Sequence, residues 1–118
     1  MRPMPTARAR RARQRLATAL ADLVTGDETF ALPGSITERF TRCGKTTCRC
    51  KADPPQLHGP YLQWTRTEHG TTITRLLSAD QAERYRTWID NTRRLRELLR
   101  DLEDLSVHTA EDDEGWTR

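Results

Sequence analysis

The chain has 118 residues, of which 35% are apolar and 31% charged, with a formal net charge of +3. That is room for one small domain with a thin core, a candidate for a stabilising staple. No stretch approaches the roughly 18 apolar residues of a membrane span, no apolar run follows the basic start as a secretory signal requires, and three cysteines cannot close a disulfide framework, so the expected setting is a bacterial or archaeal cytoplasm with reduced thiols.

Charge is unevenly distributed. Residues 1–15 carry six arginines, Arg2 together with Arg8, Arg10, Arg11, Arg13 and Arg15, and no acid. Residues 16–33 hold three acids and no base, residues 34–77 are net +4, and residues 78–118 are net −4. A basic front and middle with an acidic end is the pattern of a polyanion binder or of a self-complementary assembly.

Residues 6–25 read as a helix: Ala9, Ala12, Leu16, Leu20 and Leu23 recur at helical spacing, Pro5 precedes them and Gly26 follows as a stop. Residues 34–42, "GSITERFTR", alternate weakly and predict a short strand. Farther on, "PYLQWTRT" and "TTITRLL" flank His69-Gly70 and predict a hairpin with Gly70 in the turn. With Glu68 paired to Thr71, Leu62, Trp64 and Arg66 share a face with Ile73, Arg75 and Leu77. The other face then shows Tyr61, Gln63 and the threonines, and Trp64 is expected to take Arg75 as a cation–π partner. Ser78 and Gln81 form a capping box ahead of a helix over 79–105, with an apolar stripe of Tyr85, Trp88, Leu95, Leu99 and Leu102. Residues 106–118 revert to polar, with four consecutive acids at 111–114, and are expected to be disordered.

The expected fold is therefore α+β: a small zinc knuckle with about three antiparallel strands, framed by an N-terminal helix and a longer C-terminal amphipathic helix. Its parts are an arginine-rich helix and linker over 1–33, a knuckle, hairpin and helix domain over 34–105, and an acidic tail over 106–118.

All three cysteines fall within eight residues, as Cys43-x4-Cys48-x-Cys50, and His58 follows after seven intervening residues. Zinc takes four thiolate or imidazole ligands in a tetrahedron, and Cys3His is an accepted structural set. Gly44 lets the first loop turn back, Cys48 and Cys50 point the same way in an extended chain, and Pro54, Pro55 and Pro60 stiffen the return to His58. Packing alone does not explain cysteines in so polar a stretch, and the redox spacing C-x-x-C is absent. Cys43, Cys48 and Cys50 are the strong candidate ligands to a structural Zn2+. His58 is the leading fourth, with Asp53, His69 and His108 as weaker substitutes.

On these residues the chain resembles an uncharacterised family of small bacterial and archaeal proteins. The shared pattern is Gly-Ser-hydrophobic, Cys-Gly-Lys-x2-Cys-x-Cys, then His-Gly-Pro-Tyr, a hairpin and a C-terminal helix. Gly34, Ser35, Cys43, Gly44, Lys45, Cys48, Cys50, His58, Gly59, Pro60 and Tyr61 match it. The resemblance spans residues 34–105, leaves the arginine helix outside, and implies a zinc-knuckle domain with links to mobile elements and no established activity.

Three classes of function follow. In the first, Arg39, Arg42, Lys45, Arg49 and Lys51 around the knuckle, with Arg8, Arg10, Arg11, Arg13 and Arg15, bind DNA or RNA phosphates while Tyr61 stacks a base. The plainer explanation of the knuckle bases is charge balance for the thiolates, and of the arginine helix a solvated face or a partner for the acidic tail. In the second, the stripe of Tyr85, Trp88, Leu95, Leu99 and Leu102 forms a homodimer or docks on a larger partner. The third, an enzyme, has no catalytic signature behind it, and the chain is read as non-enzymatic.

Overall fold

The computed structural model describes residues 5–26 and 29–116, in two compact units: residues 32–89, and residues up to 31 together with 90 onward. Within the first unit, β1 (Ser35–Thr41), β2 (His58–Glu68) and β3 (Thr71–Leu77) form an antiparallel sheet in the order β1-β2-β3. Glu68 pairs with Thr71, as the alternation predicts, and the register then runs Trp64 to Arg75 and Leu62 to Leu77. His69 and Gly70 both take positive φ, 50° and 79°. A two-residue hairpin turn that matches the strand twist requires this of both central residues.

One face of the sheet carries Ile36, Leu62, Trp64, Ile73 and Leu77 and meets the start of α2 (Ala79–Glu114). Trp64, Tyr85 and Trp88 form a run of rings with centroids 6.5 and 5.1 Å apart, the tilted arrangement aromatic quadrupoles favour. Ala82 and Ile89, two turns apart on one helix side, are buried. The Trp64 indole donates to the Pro33 carbonyl at 2.8 Å, and the Leu32 amide donates to the Trp88 carbonyl at 3.1 Å. This lead-in is thereby tied to both the sheet and the helix. At Gly34, φ is +98°, and an added Cβ would collide with the Thr65 carbonyl and the Trp64 indole nitrogen. The cation over Trp64 is Arg66, 4.5 Å from the ring centroid, in place of the expected Arg75, whose guanidinium turns to the Thr74 carbonyl. Arg66 lies two residues along the same strand face and is oriented by Glu68 at 3.6 Å.

The capping box forms as read. The Ser78 amide donates to the Gln81 side chain at 2.9 Å, and the Gln81 amide donates to the Ser78 hydroxyl at 3.2 Å. α2 does not stop at 105 but continues to Glu114, so residues 106–114 are helical where the composition predicts disorder. Ser106 and Thr109 each donate to the carbonyl four residues back, at 2.7 Å, so their hydroxyls find partners within the helix itself.

In the second unit, α1 (Ala7–Val24) is capped by Thr6, whose hydroxyl accepts from the Ala9 amide at 3.1 Å. Hollows shared with α2 bring Ala9 and Arg13 beside Leu105 and Thr109, and Leu16 and Ala19 beside Arg94 and Leu98, so the two run antiparallel. α1 buries no residue fully, while Leu98 of α2 is 2% exposed. Asn91 donates to the Phe30 carbonyl at 3.0 Å and ties down the segment after α1. α2 is shared between the two units: its first three turns lie with the sheet and the remainder lies with α1. No helix among the described residues is long and apolar enough to cross a membrane.

Candidate metal centre

The loop between β1 and β2 folds Cys43, Cys48, Cys50 and His58 together, with one ligand atom of each within 4.8 Å of all the others. The sheet register does part of this work. His58, the first residue of β2, pairs with Thr41, so the imidazole stands two residues from Cys43 across the ladder. A register shift between Arg39 and Thr41 marks a bulge at this end of β1, the kind of distortion that re-aims a strand end. Gly59 has φ +128°, and a Cβ there would lie 2.7 Å from the Arg39 carbonyl, so only glycine permits the approach of β2 to β1 beside the ligand.

Residues 45–51 form two tight turns. The Cys48 amide donates to the Lys45 carbonyl at 3.3 Å, and the Lys51 amide donates to the Cys48 carbonyl at 2.9 Å. Arg49–Lys51 is a single 3₁₀ turn. The Arg49 carbonyl receives both the Ala52 and Gln56 amides at 3.1 Å, which closes the proline-containing return. Lys51 reaches back to donate from Nζ to the Cys43 carbonyl at 2.6 Å, so this base is part of the knuckle's framework.

The Cys43 N–H is directed at Cys50, with 3.4 Å between N and Sγ, and the Lys45 and Cys50 N–H groups act on the Cys43 and Cys48 thiols. Such donors favour the thiolate, the form that binds metal. The Cys50 N–H, aided by the Cys43 and Cys50 side chains and the Arg49 charge, holds the Cys48 thiol below its ordinary value. Cys43 goes the other way. The Lys45 N–H, its largest single influence, lowers it, but the Cys48 side chain, burial and Cys50 together raise it.

The donor set fits a tetrahedral metal. Ligands about 2.3 Å from a zinc ion stand about 3.8 Å from one another. The Cys43 and Cys50 sulfurs are 3.7 Å apart, and Cys48 Sγ lies 3.2 Å from His58 Nε2. At 3.7 Å the two sulfurs are far beyond the roughly 2.05 Å of a disulfide, and all three cysteines are free. Cys50, at 0% exposure, is the largest fully buried side chain among the described residues, so the cluster is also the centre of packing for its loop. Of the substitute ligands, Asp53 lies outside the cluster, His69 sits in the hairpin turn, and the His108 ring lies against the Asp104 carbonyl on α2.

Around the cluster Arg39, Arg42, Lys45, Arg49 and Lys51 are exposed, and no ion pair engages them among the described residues. Tyr61 is 42% exposed on the sheet face opposite α2. Arg8, Arg10, Arg11, Arg13 and Arg15 are exposed along α1, in the other unit. There Arg10 and Arg13 border one hollow beside α2, and Arg15 borders another with Asp101. Of the helical stripe, Tyr85 is engaged with Trp64 and Trp88 with Tyr85 inside their own unit, whereas Leu99 is 52% exposed and Leu95 and Leu102 are half-buried. Sequence reasoning missed the Lys51 clamp and the N–H···S contact from Cys43 to Cys50, although a lysine next to a clustered cysteine is the signal for the first.

A family model described as a domain of unknown function, DUF6788, matches residues 6–87. The match takes in α1, which the motif resemblance leaves outside, and ends within α2, short of residue 105. No curated protein and no solved structure matches the chain.

Proposed function

The chain belongs to the DUF6788 family, and from the site it carries we propose a non-enzymatic nucleic-acid-binding protein whose basic knuckle is held in shape by structural zinc. Zinc is the metal that three thiolates and one imidazole suit best in a tetrahedron. Four protein ligands fill that tetrahedron and leave no open position for a substrate, which is why the reading is structural. When bound, the ion supplies folding free energy and a net charge of about −1 with its three thiolates.

The observation that carries the reading is the surplus of base around the cluster. Arg42, Lys45, Arg49 and Lys51 occupy a ten-residue span without a carboxylate, and Lys51 is already turned inward. One residual negative charge does not balance them, so Arg42, Lys45 and Arg49 remain for an external polyanion. Arg39 at the end of β1 extends the same patch. Phosphates are the polyanion this arrangement suits, with affinity from counterion release. The α1 arginines supply a second basic surface in the other unit.

Zinc-loaded Arg42→Ala/Lys45→Ala/Arg49→Ala and Arg10→Ala/Arg11→Ala/Arg13→Ala are the tests, read by anisotropy of labelled DNA and RNA. The knuckle triple is expected to weaken binding at least tenfold with zinc retained, and the α1 triple to weaken it broadly with its melting profile unchanged. Unaltered affinity in the knuckle triple would refute the reading.

A second reading, compatible with the first, is self-association through the later part of α2. It is favoured by Leu99 at 52% exposure in a unit where Leu98 is the buried apolar residue among those described. Leu99→Glu is expected to convert a dimer to a monomer in light scattering. A wild-type chain that is monomeric at high concentration would dismiss it.

A further inference from the structure

The sheet face turned away from Trp64 and Tyr85 has a composition that the metal site does not explain. Across the register it presents Ser35, Thr65 and Thr74, then Thr37, Gln63 and Leu76, then Arg39 and Tyr61. None of these is a carboxylate. Glu38 falls on the opposite parity, where it borders a neighbouring hollow with Tyr61, Leu76 and Arg86, and Glu68, on that parity too, pairs with Arg66. Arg39, Thr41, Tyr61, Gln63 and Leu76 line a shallow hollow on this face, and Leu76 is among the most exposed large apolar residues described. The hollow begins at the strand ends that lead into the metal loop, since Thr41 pairs with His58.

We infer that this hollow binds an unstacked base of single-stranded nucleic acid, with Tyr61 as the stacking ring, Gln63 facing the base edge and Arg39 facing the adjoining phosphate. The inference rests on the nucleic-acid reading above and names its ligand class. Three physical points carry it. A tyrosine on a sheet offers only a flat contact, and a base inside a duplex already has both of its faces covered, so the contact selects unpaired nucleotides. Leu76 and Tyr61 give the hollow an apolar floor, while Gln63 and Thr41 supply donors and acceptors at its rim, the mix that takes an amphipathic planar ring. Finally, a cationic rim with no carboxylate on the face complements a phosphate strand and disfavours basic or zwitterionic ligands. The bases Arg42, Lys45 and Arg49 lie along the chain leaving this end of β1, where the same strand's phosphates would continue.

The experiment compares zinc-loaded wild type, Tyr61→Phe, Tyr61→Ala and Leu76→Glu. Each is titrated by anisotropy against oligothymidylate, oligouridylate and a DNA duplex of equal length. Tyr61→Ala is expected to weaken both single strands by about 5- to 150-fold, the fold-change of one lost base–aromatic stack, and to change duplex affinity less than twofold. Tyr61→Phe keeps wild-type affinity, because the ring and not the hydroxyl makes the contact. Leu76→Glu, remote from the metal ligands, weakens single strands by at least tenfold. It decides the matter if Tyr61→Ala loses zinc. Equal affinity for duplex and single strands that neither Tyr61→Ala nor Leu76→Glu alters overturns this inference and leaves the nucleic-acid reading standing. No binding to any of the three probes at low salt overturns both.

Discussion

Replacing Cys48 by serine tests the relation between metal and fold most sharply. Cys48 stands 3.2 Å from His58 Nε2, so the change removes the ligand that joins the loop to β2. The unit of residues 32–89 has few alternatives to the metal: its buried apolar residues are Cys50, Ala82 and Ile89. Burying a side chain the size of isoleucine contributes about 1.5–3 kcal/mol, and alanine much less. By comparison, zinc at a thousandfold excess over its Kd stabilises the state it binds by about 4 kcal/mol. For a unit of this size each kcal/mol is worth about 4–8 °C, so Cys48→Ser, or exposure of the wild type to a strong chelator, is expected to lower the melting temperature by about 15–30 °C. Near-ultraviolet circular dichroism is the assay, since Trp64, Tyr85 and Trp88 report the packing of this unit directly. Zinc content is followed in parallel by a colorimetric chelator. A zinc-free chain that melts at the same temperature with an unchanged aromatic signal would refute the reasoning.

Gly59→Ala is expected to destabilise by at least about 1 kcal/mol, because a Cβ meets the Arg39 carbonyl at 2.7 Å in a left-handed conformation; denaturant melts and zinc affinity should fall together. Ser78→Ala removes the hydroxyl that receives the Gln81 amide and should cost about 1 kcal/mol in a urea melt, with zinc affinity unchanged. Acidification should release the metal, since thiolates and imidazole must be deprotonated to bind it. In the metal-free chain the depressed Cys48 pKa contributes stability above the unfolded thiol pKa that is lost as pH falls through the folded value. The raised Cys43 pKa contributes stability below the unfolded value that is lost as pH rises through the folded one. Zinc release as the pH is lowered, followed with a colorimetric chelator, reads out the effect of acidification.

Local chemistry made much of this fold legible. The hairpin register followed from alternation across His69-Gly70, the start of α2 followed from Ser78 and Gln81, and the four clustered ligands followed from their spacing. The extent of α2 was hidden because Ser106, Thr109 and the acids at 111–114 look like a tail by composition, although both hydroxyls find acceptors within the helix. Tyr85 and Trp88 lie on the same helical stripe as Leu99, and periodicity alone cannot say that α2 passes from one unit to the other between them. The choice of Arg66 over Arg75 for Trp64 turned on side-chain direction, which registers alone do not specify.

If zinc shapes a surface for phosphates, a salt titration of zinc-loaded wild type against labelled nucleic acid shows it. With three to five phosphates neutralised, log affinity should fall against log salt with a slope of about −2 to −4, the shallower values on single strands. A slope near zero, or no binding at low salt, would contradict the claim.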